Sequence, residues 1–144
     1  MPRVKAEEVR LTEHQLSEIY KASKNPFYFA SFASVVHPLK GNVPFNLFPF
    51  QKQVLLTVLQ SRFSIILKFR QAGMTELLCL YALWVAMFNP YKNVIIISIK
   101  DRVAKKFLRR VKHLYRNLPA HLKLAIVNGK GGNSLGTASE IVFS

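Results

Sequence analysis

Residues 68–75, which read Lys-Phe-Arg-Gln-Ala-Gly-Met-Thr, combine residue types that bind phosphate groups. Aligned on the phosphate-loop pattern G-x-x-x-x-G-K-[ST], Gly73 takes the second glycine position and Thr75 the hydroxyl position. Lys68 stands in place of the first glycine, and Met74 in place of the lysine. Backbone N–H groups and the helix dipole hold phosphates at such a loop, and a threonine hydroxyl can bind the accompanying Mg²⁺. The segment predicts a nucleotide site, with a surface turn carrying two solvated cations as the alternative.

A phosphate loop of this kind needs a cation, and Met74 cannot supply one. Lys68 lies at the mouth of the loop and Arg70 lies within it. We expect one of these two side chains to fold back toward the β- and γ-phosphates, and both are candidate catalytic residues.

The whole chain is strongly basic, with 21 Lys and Arg against 7 Asp and Glu and a formal net charge of +14. This charge favours a polyanionic partner. A helix predicted from Asp101 onward carries cations beside its apolar stripe, with no acid among them: Arg102, Lys105, Lys106, Arg109, Arg110, Lys112 and Arg116. A solvated face normally mixes both signs, so the first five are candidate contacts to DNA phosphates, with a merely solvated face as the alternative.

Other kinds of site are not favoured. Cys79 is the single cysteine, which excludes an intrachain disulfide and multi-cysteine zinc sites and predicts a core position. The four histidines, at positions 14, 37, 113 and 121, lack the spacing of metal ligands. The longest apolar run, Leu77–Phe88, has twelve residues, whereas a membrane-spanning helix needs about 20. With no secretory signal in the first ten residues, we expect a cytoplasmic protein.

Half of the 144 residues are hydrophobic, which is enough for one core. Apolar residues at helical spacing predict four helices. These are residues 13–22 behind a capping box from Thr12 to Gln15, residues 49–60 beginning at Pro49, residues 76–88, and a helix capped by Asp101 that ends before Pro119. The aromatic residues between positions 27 and 32 are interpreted as a hydrophobic latch, with a base-stacking platform as the alternative. Residues 35–48 are interpreted as a loop or irregular crossing.

Two runs of apolar and branched residues, Phe63–Leu67 and Asn93–Ile99, predict strands buried on both faces. Because they alternate with helices, they indicate an α/β domain with a parallel sheet flanked by helices. Shorter strand candidates are residues 124–127 and 141–143, around a glycine-rich loop or hairpin tip at 129–136.

Residues 45–111 resemble the N-terminal part of the ATPase domain of tailed-bacteriophage terminase large subunits, the motors that pump DNA into procapsids. Phosphate loops of that family commonly read Arg-Gln-x-Gly-x-Thr or Ser, as residues 70–75 do, and some place the lysine where Lys68 stands. Phe48-Pro49-Phe50-Gln51 is similar to the family's aromatic and glutamine element, which reads adenine. The later order of elements, through Leu118-Pro119 to Glu140–Phe143, also follows the family.

This resemblance implies a partial P-loop NTPase fold in residues 48–144, preceded by a helical and aromatic extension in residues 1–47. It implies ATP and Mg²⁺ as cofactors, with Gln51 on adenine and the Thr75 hydroxyl on Mg²⁺. The alternative for Gln51, near the start of a helix, is a solvated residue or a cap partner. The other implied ATP-binding residues are Gln71, Ala72, Gly73 and Met74, with Lys68 and Arg70 as the catalytic cations. The implied partner is double-stranded DNA, with the procapsid portal and the terminase small subunit as partners in the full-length family. A ring of subunits in the bacterial cytoplasm is implied only for the complete protein.

The acids needed for hydrolysis are not found after the loop. Such ATPases have a later strand ending in Asp-Glu, which orders Mg²⁺ and activates the attacking water. Here only Glu76, Asp101 and Glu140 follow the loop. The resemblance therefore implies a fragment that ends before this strand and does not complete hydrolysis alone. The alternative function is a small basic α/β nucleic-acid-binding protein with an incidental phosphate-loop-like turn.

Overall fold

A computed structural model of the chain describes residues 11–37, 39–124, 136–137 and 139–143. Five helices, one two-stranded antiparallel sheet and a short 3₁₀ turn form this part of the molecule. In chain order they are α1 (Glu13–Lys24), α2 (Pro26–Ala30), β1 (Ser34–His37), β2 (Gly41–Pro44), α3 (Pro49–Gln60), α4 (Met74–Phe88), α5 (Asp101–Arg116) and the turn Ala120–Leu122.

The core lies between α4 and α5. Leu77, Leu80 and Leu83 of α4 are fully buried, as is Leu114 of α5. Because α4 is apolar on nearly every side, it also contacts α2 and α3. The indole N–H of Trp84 donates to the carbonyl of Ala22 over 2.8 Å and so joins α4 to α1.

The helix predictions are confirmed, with small differences at the ends. Helix α1 starts behind the predicted capping box, in which the Gln15 amide donates to Thr12 Oγ1 over 3.3 Å. Helix α3 has the predicted bounds, and α4 begins two residues earlier than predicted. The prediction of Asp101 as a cap is wrong: Lys100 is the N-cap residue, and Asp101 lies in the first turn. No helix in the described ranges has the length and apolar character needed to cross a membrane.

The predicted loop at residues 35–48 contains a β-hairpin. Strands β1 and β2 pair from Ser34 opposite Pro44 to His37 opposite Gly41. Gly41 has φ +69°, the left-handed conformation that closes the turn without the penalty a Cβ brings. The sequence prediction recognised the turn residues but missed the strands, because each has only four residues.

The prediction of an α/β fold with a parallel sheet is wrong, and so is the partial P-loop NTPase fold that the resemblance implies for residues 48–144. Residues 63–67 and 93–99 are not strands, and the sole sheet among the described residues is the antiparallel hairpin. Ile65 and Ile97 are 101% and 90% exposed, whereas a central strand would bury both faces. The apolar runs carry no information on whether a neighbouring strand is present.

Two smaller strand predictions have different outcomes. Residues 141–143 show a single β-bridge at Phe143 rather than a strand. Of the candidate at 124–127, only Leu124 is described, and it is not in a strand. The glycine-rich loop at 129–136 lies outside the described residues except for Gly136.

Candidate functional site

The candidate phosphate loop, residues 68–75, leads directly into the N-terminus of α4. Gly73 is the N-cap residue, with φ +69° and ψ +11°, and Gln71 also has a positive φ of 65°. The first helical bond runs from the Leu77 amide to the Gly73 carbonyl over 3.1 Å. No side chain in the described ranges caps this helix end. The first N–H groups of α4 are therefore available to an anion, at the positive end of the helix dipole.

Gln51, on the first turn of α3, fixes the position of this loop. Its side chain is 2% exposed. Nε2 donates to the Ala72 carbonyl over 3.2 Å, and Oε1 accepts from the Phe48 amide over 3.0 Å. The residue that the family resemblance assigns to adenine thus bonds to the loop backbone, 21 residues along the chain. A buried amide with both ends bonded holds the loop against α3.

The neighbours of Gly73 contribute backbone rather than side chains to the outer surface of the loop. Ala72 and Met74 are 5% and 4% exposed, and both belong to the hydrophobic core. Met74 occupies the lysine position of the phosphate-loop pattern, and its burial explains why an apolar residue is tolerated there. Lys68, Arg70 and Gln71 are exposed.

Three aromatic rings lie next to the loop. The rings of Phe48 and Phe50 stack with centroids 5.6 Å apart, and Phe50 contacts Phe69 at 6.2 Å. Their exposed fractions are 60%, 42% and 67% for Phe48, Phe50 and Phe69. The sequence prediction included the first two but missed Phe69, because nothing in the chain order shows that it meets Phe50. Exposed aromatic rings next to a phosphate loop form a surface on which a planar base can stack.

An ion pair joins the first turn of α4 to α5. Glu76, in the first turn of α4, accepts from Nε of Arg110 over 2.7 Å. Arg110, a predicted DNA-binding residue, therefore neutralises the acid that is nearest in sequence to the phosphate loop. The sequence alone gave no signal for this pair, which depends on the packing of α5 against α4.

The half-buried Thr75 is the candidate Mg²⁺ ligand. Nowhere in the described part of the chain do three His, Cys, Asp or Glu side chains form a group that could hold a metal ion. Mg²⁺ bound with a nucleotide needs few protein ligands, because phosphate oxygens and water complete its octahedron. A hydroxyl on the first turn of a helix that can hold phosphates fits this requirement.

The predicted DNA-binding residues fall into two groups. Lys105 pairs with Asp101 over 2.6 Å, and Arg110 pairs with Glu76. Arg102, Lys106 and Arg109 are exposed on α5 and have no ion-pair partner among the described residues. Their spacing of four and three residues places them on one side of the helix. We call these three residues the basic face of α5.

Cys79 lies in the core behind the site, as predicted. It is fully buried, and its thiol donates to the Phe107 carbonyl over 3.7 Å. Burial raises the pKa of the Cys79 thiol far above its ordinary range, and the negative charge of Glu76 raises that pKa further.

Comparison of the sequence with protein-family models gave no match, and comparison with curated proteins gave none.

Proposed function

We propose that residues 68–75 and the N-terminus of α4 bind the phosphate groups of ATP together with Mg²⁺. The observation that carries this proposal is the contact between Gln51 and the loop. A buried amide from another helix bonds to Ala72, next to a left-handed Gly73, while the first N–H groups of α4 have no side-chain cap in the described structure. The bonded amide fixes the loop backbone beside these N–H groups.

The phosphates are proposed to lie over the backbone N–H groups of residues 71–75. The Thr75 hydroxyl supplies one oxygen to Mg²⁺, and Lys68 or Arg70 supplies the cation that Met74 cannot. The Arg110 pair removes the repulsion that the Glu76 carboxylate would otherwise exert on the phosphates. Because the amide of Gln51 is engaged by the protein, we assign contact with the adenine base to the rings of Phe50 and Phe69 as well.

The wider role that we propose is that of the nucleotide-binding part of a phage DNA-packaging terminase large subunit. The support is the resemblance of residues 45–111 to that family and the net charge of +14. On this proposal the partners are double-stranded DNA, the procapsid portal and the terminase small subunit, and the protein works in the bacterial cytoplasm. Translocation would also require the Asp-Glu pair that the sequence does not contain after the loop.

Titration of the protein with a fluorescent ATP analogue, with and without Mg²⁺, tests the nucleotide site. Thr75→Ala should weaken binding in Mg²⁺ at least about tenfold, which corresponds to roughly 1.4 kcal/mol. The matched control is Thr57→Ala on α3, where the hydroxyl bonds to its own helix at Gln53. Equal affinity of the two variants would refute the proposal for Thr75.

The cations are tested in the same titration. Lys68→Ala and Arg70→Ala should weaken the binding of ATP more than the binding of adenosine, because only ATP carries the phosphate charge. Lys40→Ala, an exposed lysine in the turn of the hairpin, is the control for a general loss of positive charge. If all three variants lose affinity equally, long-range attraction rather than a site accounts for binding.

Nucleic-acid binding without nucleotide binding is the second candidate function. The specific observation for it is the basic face of α5, whose three cations are exposed and unpaired among the described residues. This candidate predicts DNA affinity that is unchanged by Thr75→Ala. Loss of ATP affinity in that variant, with DNA binding intact, would show that the two functions use separate surfaces.

A further inference from the structure

Residues 93–99 lie between α4 and α5 outside any helix or strand, and the exposure of their isoleucine side chains alternates. Ile95, Ile97 and Ile99 are 80%, 90% and 102% exposed, whereas Ile96 is half-buried. On the inner side, the segment faces Leu78 and Tyr81 of α4 and Phe107 of α5. Such alternating exposure is the side-chain pattern of a β-strand that is partly covered on one face.

The backbone of this segment has no partner in the described structure. None of residues 93–99 donates or accepts a backbone hydrogen bond there, and none bonds to a side chain. Unbonded N–H and C=O groups in an apolar segment offer an open edge, which can template the pairing of another strand.

A cavity of about 1160 Å³ lies beside the segment. Its walls are residues 93–96, the end of α4, part of α5 and residues 139–143. The cavity therefore offers both an open backbone edge and a largely apolar floor formed by residues such as Ala82, Met87 and Leu108.

We propose that this groove binds an extended strand donated by another polypeptide, with apolar side chains alternating with acidic ones. The main-chain bonds would come from the edge at 93–99, and alternate apolar side chains would fill the cavity. The exposed lysines at both ends of the segment, Lys92 and Lys100, favour acidic residues in the bound strand. The nearby Asp101 does not neutralise these lysines, because it is already paired with Lys105. Glu140, in the groove wall, is an acid that opposes an acidic occupant.

The net charge argues against a second copy of this chain as the occupant. Two copies, each with a net charge of +14, would repel each other. An acidic strand is instead attracted by the positive charge of the chain. The proposal does not depend on nucleotide binding, because the groove and residues 68–75 share no residue.

The test uses a fluorescein-labelled peptide of about nine residues, the length of one strand, with valines alternating with glutamates. Fluorescence polarisation measures its affinity for the full chain. Two matched peptides have lysines in place of glutamates, or the same sequence with an N-methylated backbone. We expect both to bind at least about tenfold more weakly, because they lack the charge or the N–H donors. Equal binding of all three peptides would overturn the proposal.

Location is tested by hydrogen exchange and by substitution. The acidic peptide should slow amide exchange at residues 93–99, and Ile95→Asn, in the cavity wall, should weaken binding where Ile65→Asn does not. Ile65 is also a strongly exposed isoleucine but lies outside the groove, so neither variant should affect folding. Protection elsewhere, or equal effects of the two variants, would refute the assignment. A dimer that protects residues 93–99 without peptide would identify a second copy as the occupant and overturn the choice of an acidic partner.

Discussion

A Cβ built on Gly73 would stand 2.6 Å from Nε2 of Gln51. The same Nε2 donates to the carbonyl of Ala72, so the amide cannot withdraw without losing a buried hydrogen bond. Glycine is therefore required at position 73 for two reasons: the backbone is left-handed there, and Gln51 approaches too closely for a Cβ. This is the tightest structural constraint in the candidate site.

Gly73→Ala should destabilise the protein more than Gly41→Ala. Both glycines have φ +69°, so both variants carry the backbone penalty of about 1–2 kcal/mol for an L-residue. Only position 73 adds a steric conflict, because a Cβ on Gly41 meets nothing within 4 Å. Urea denaturation of the two variants measures the difference. Equal losses of unfolding free energy would show that the amide of Gln51 moves aside freely.

Gln51→Met should be destabilising by about 1–3 kcal/mol, the cost of leaving a buried polar group without its partner. The substitution preserves side-chain length but removes the bonds to Phe48 and Ala72. It should also weaken ATP binding, because the loop is no longer held. Gln53→Met, at an exposed position on the same helix, is the control for both measurements. If the two variants unfold at the same urea concentration, the buried bonds contribute nothing to stability.

The contrast between α3 and residues 63–67 shows what the sequence could predict. The start at Pro49 and the apolar spacing up to Gln60 are local signals, and the helix has the predicted bounds. A strand depends on a neighbour that local sequence does not identify, and the described structure provides none for residues 63–67 or 93–99. Helices were therefore predictable here and the sheet was not.

In the candidate site, too, the local features could be predicted from the sequence and the contacts between distant residues could not. The loop from Lys68 to Thr75 and its position before a helix followed from residue types alone. The bond from Gln51 to Ala72 and the pair of Glu76 with Arg110 join residues 21 and 34 positions apart. Pairs at such separations depend on helix packing, which a single sequence without its fold does not specify.

DNA binding should depend steeply on salt through the basic face of α5. Each phosphate that a cation neutralises contributes about 0.9 to the slope of log affinity against log salt. Replacing Arg102, Lys106 and Arg109 by glutamine should lower that slope by about this amount for each phosphate that the variant no longer neutralises. A control variant with Lys21, Lys24 and Lys40 replaced by glutamine removes the same charge from other surfaces. Identical slopes for the two variants would mean that the basic face is merely solvated.

The buried thiol of Cys79 gives the protein a predictable response to alkaline pH. Desolvation, and after it the charge of Glu76, raise the pKa of this thiol far above its ordinary value of 9.0. Above pH 9.0 the thiol of the unfolded chain loses its proton, while the thiol of the folded protein keeps it. The contribution of Cys79 to stability is thus fully present below pH 9 and decreases as the pH rises further, by at most about 1.4 kcal/mol per pH unit.

Urea denaturation of the wild-type protein and of Cys79→Ala, from pH 7 to pH 10, isolates this contribution. Tyr115 also has a pKa raised by burial, and Lys112 has a pKa lowered by burial, but both groups are present in the two proteins and cancel in the difference. The wild-type protein should be more stable at pH 7, because alanine leaves a cavity in the core. The advantage should shrink above pH 9. An advantage that stays constant to pH 10 would show that the thiol ionises in the folded protein, so that Cys79 is less enclosed by α4 and α5 than its burial indicates.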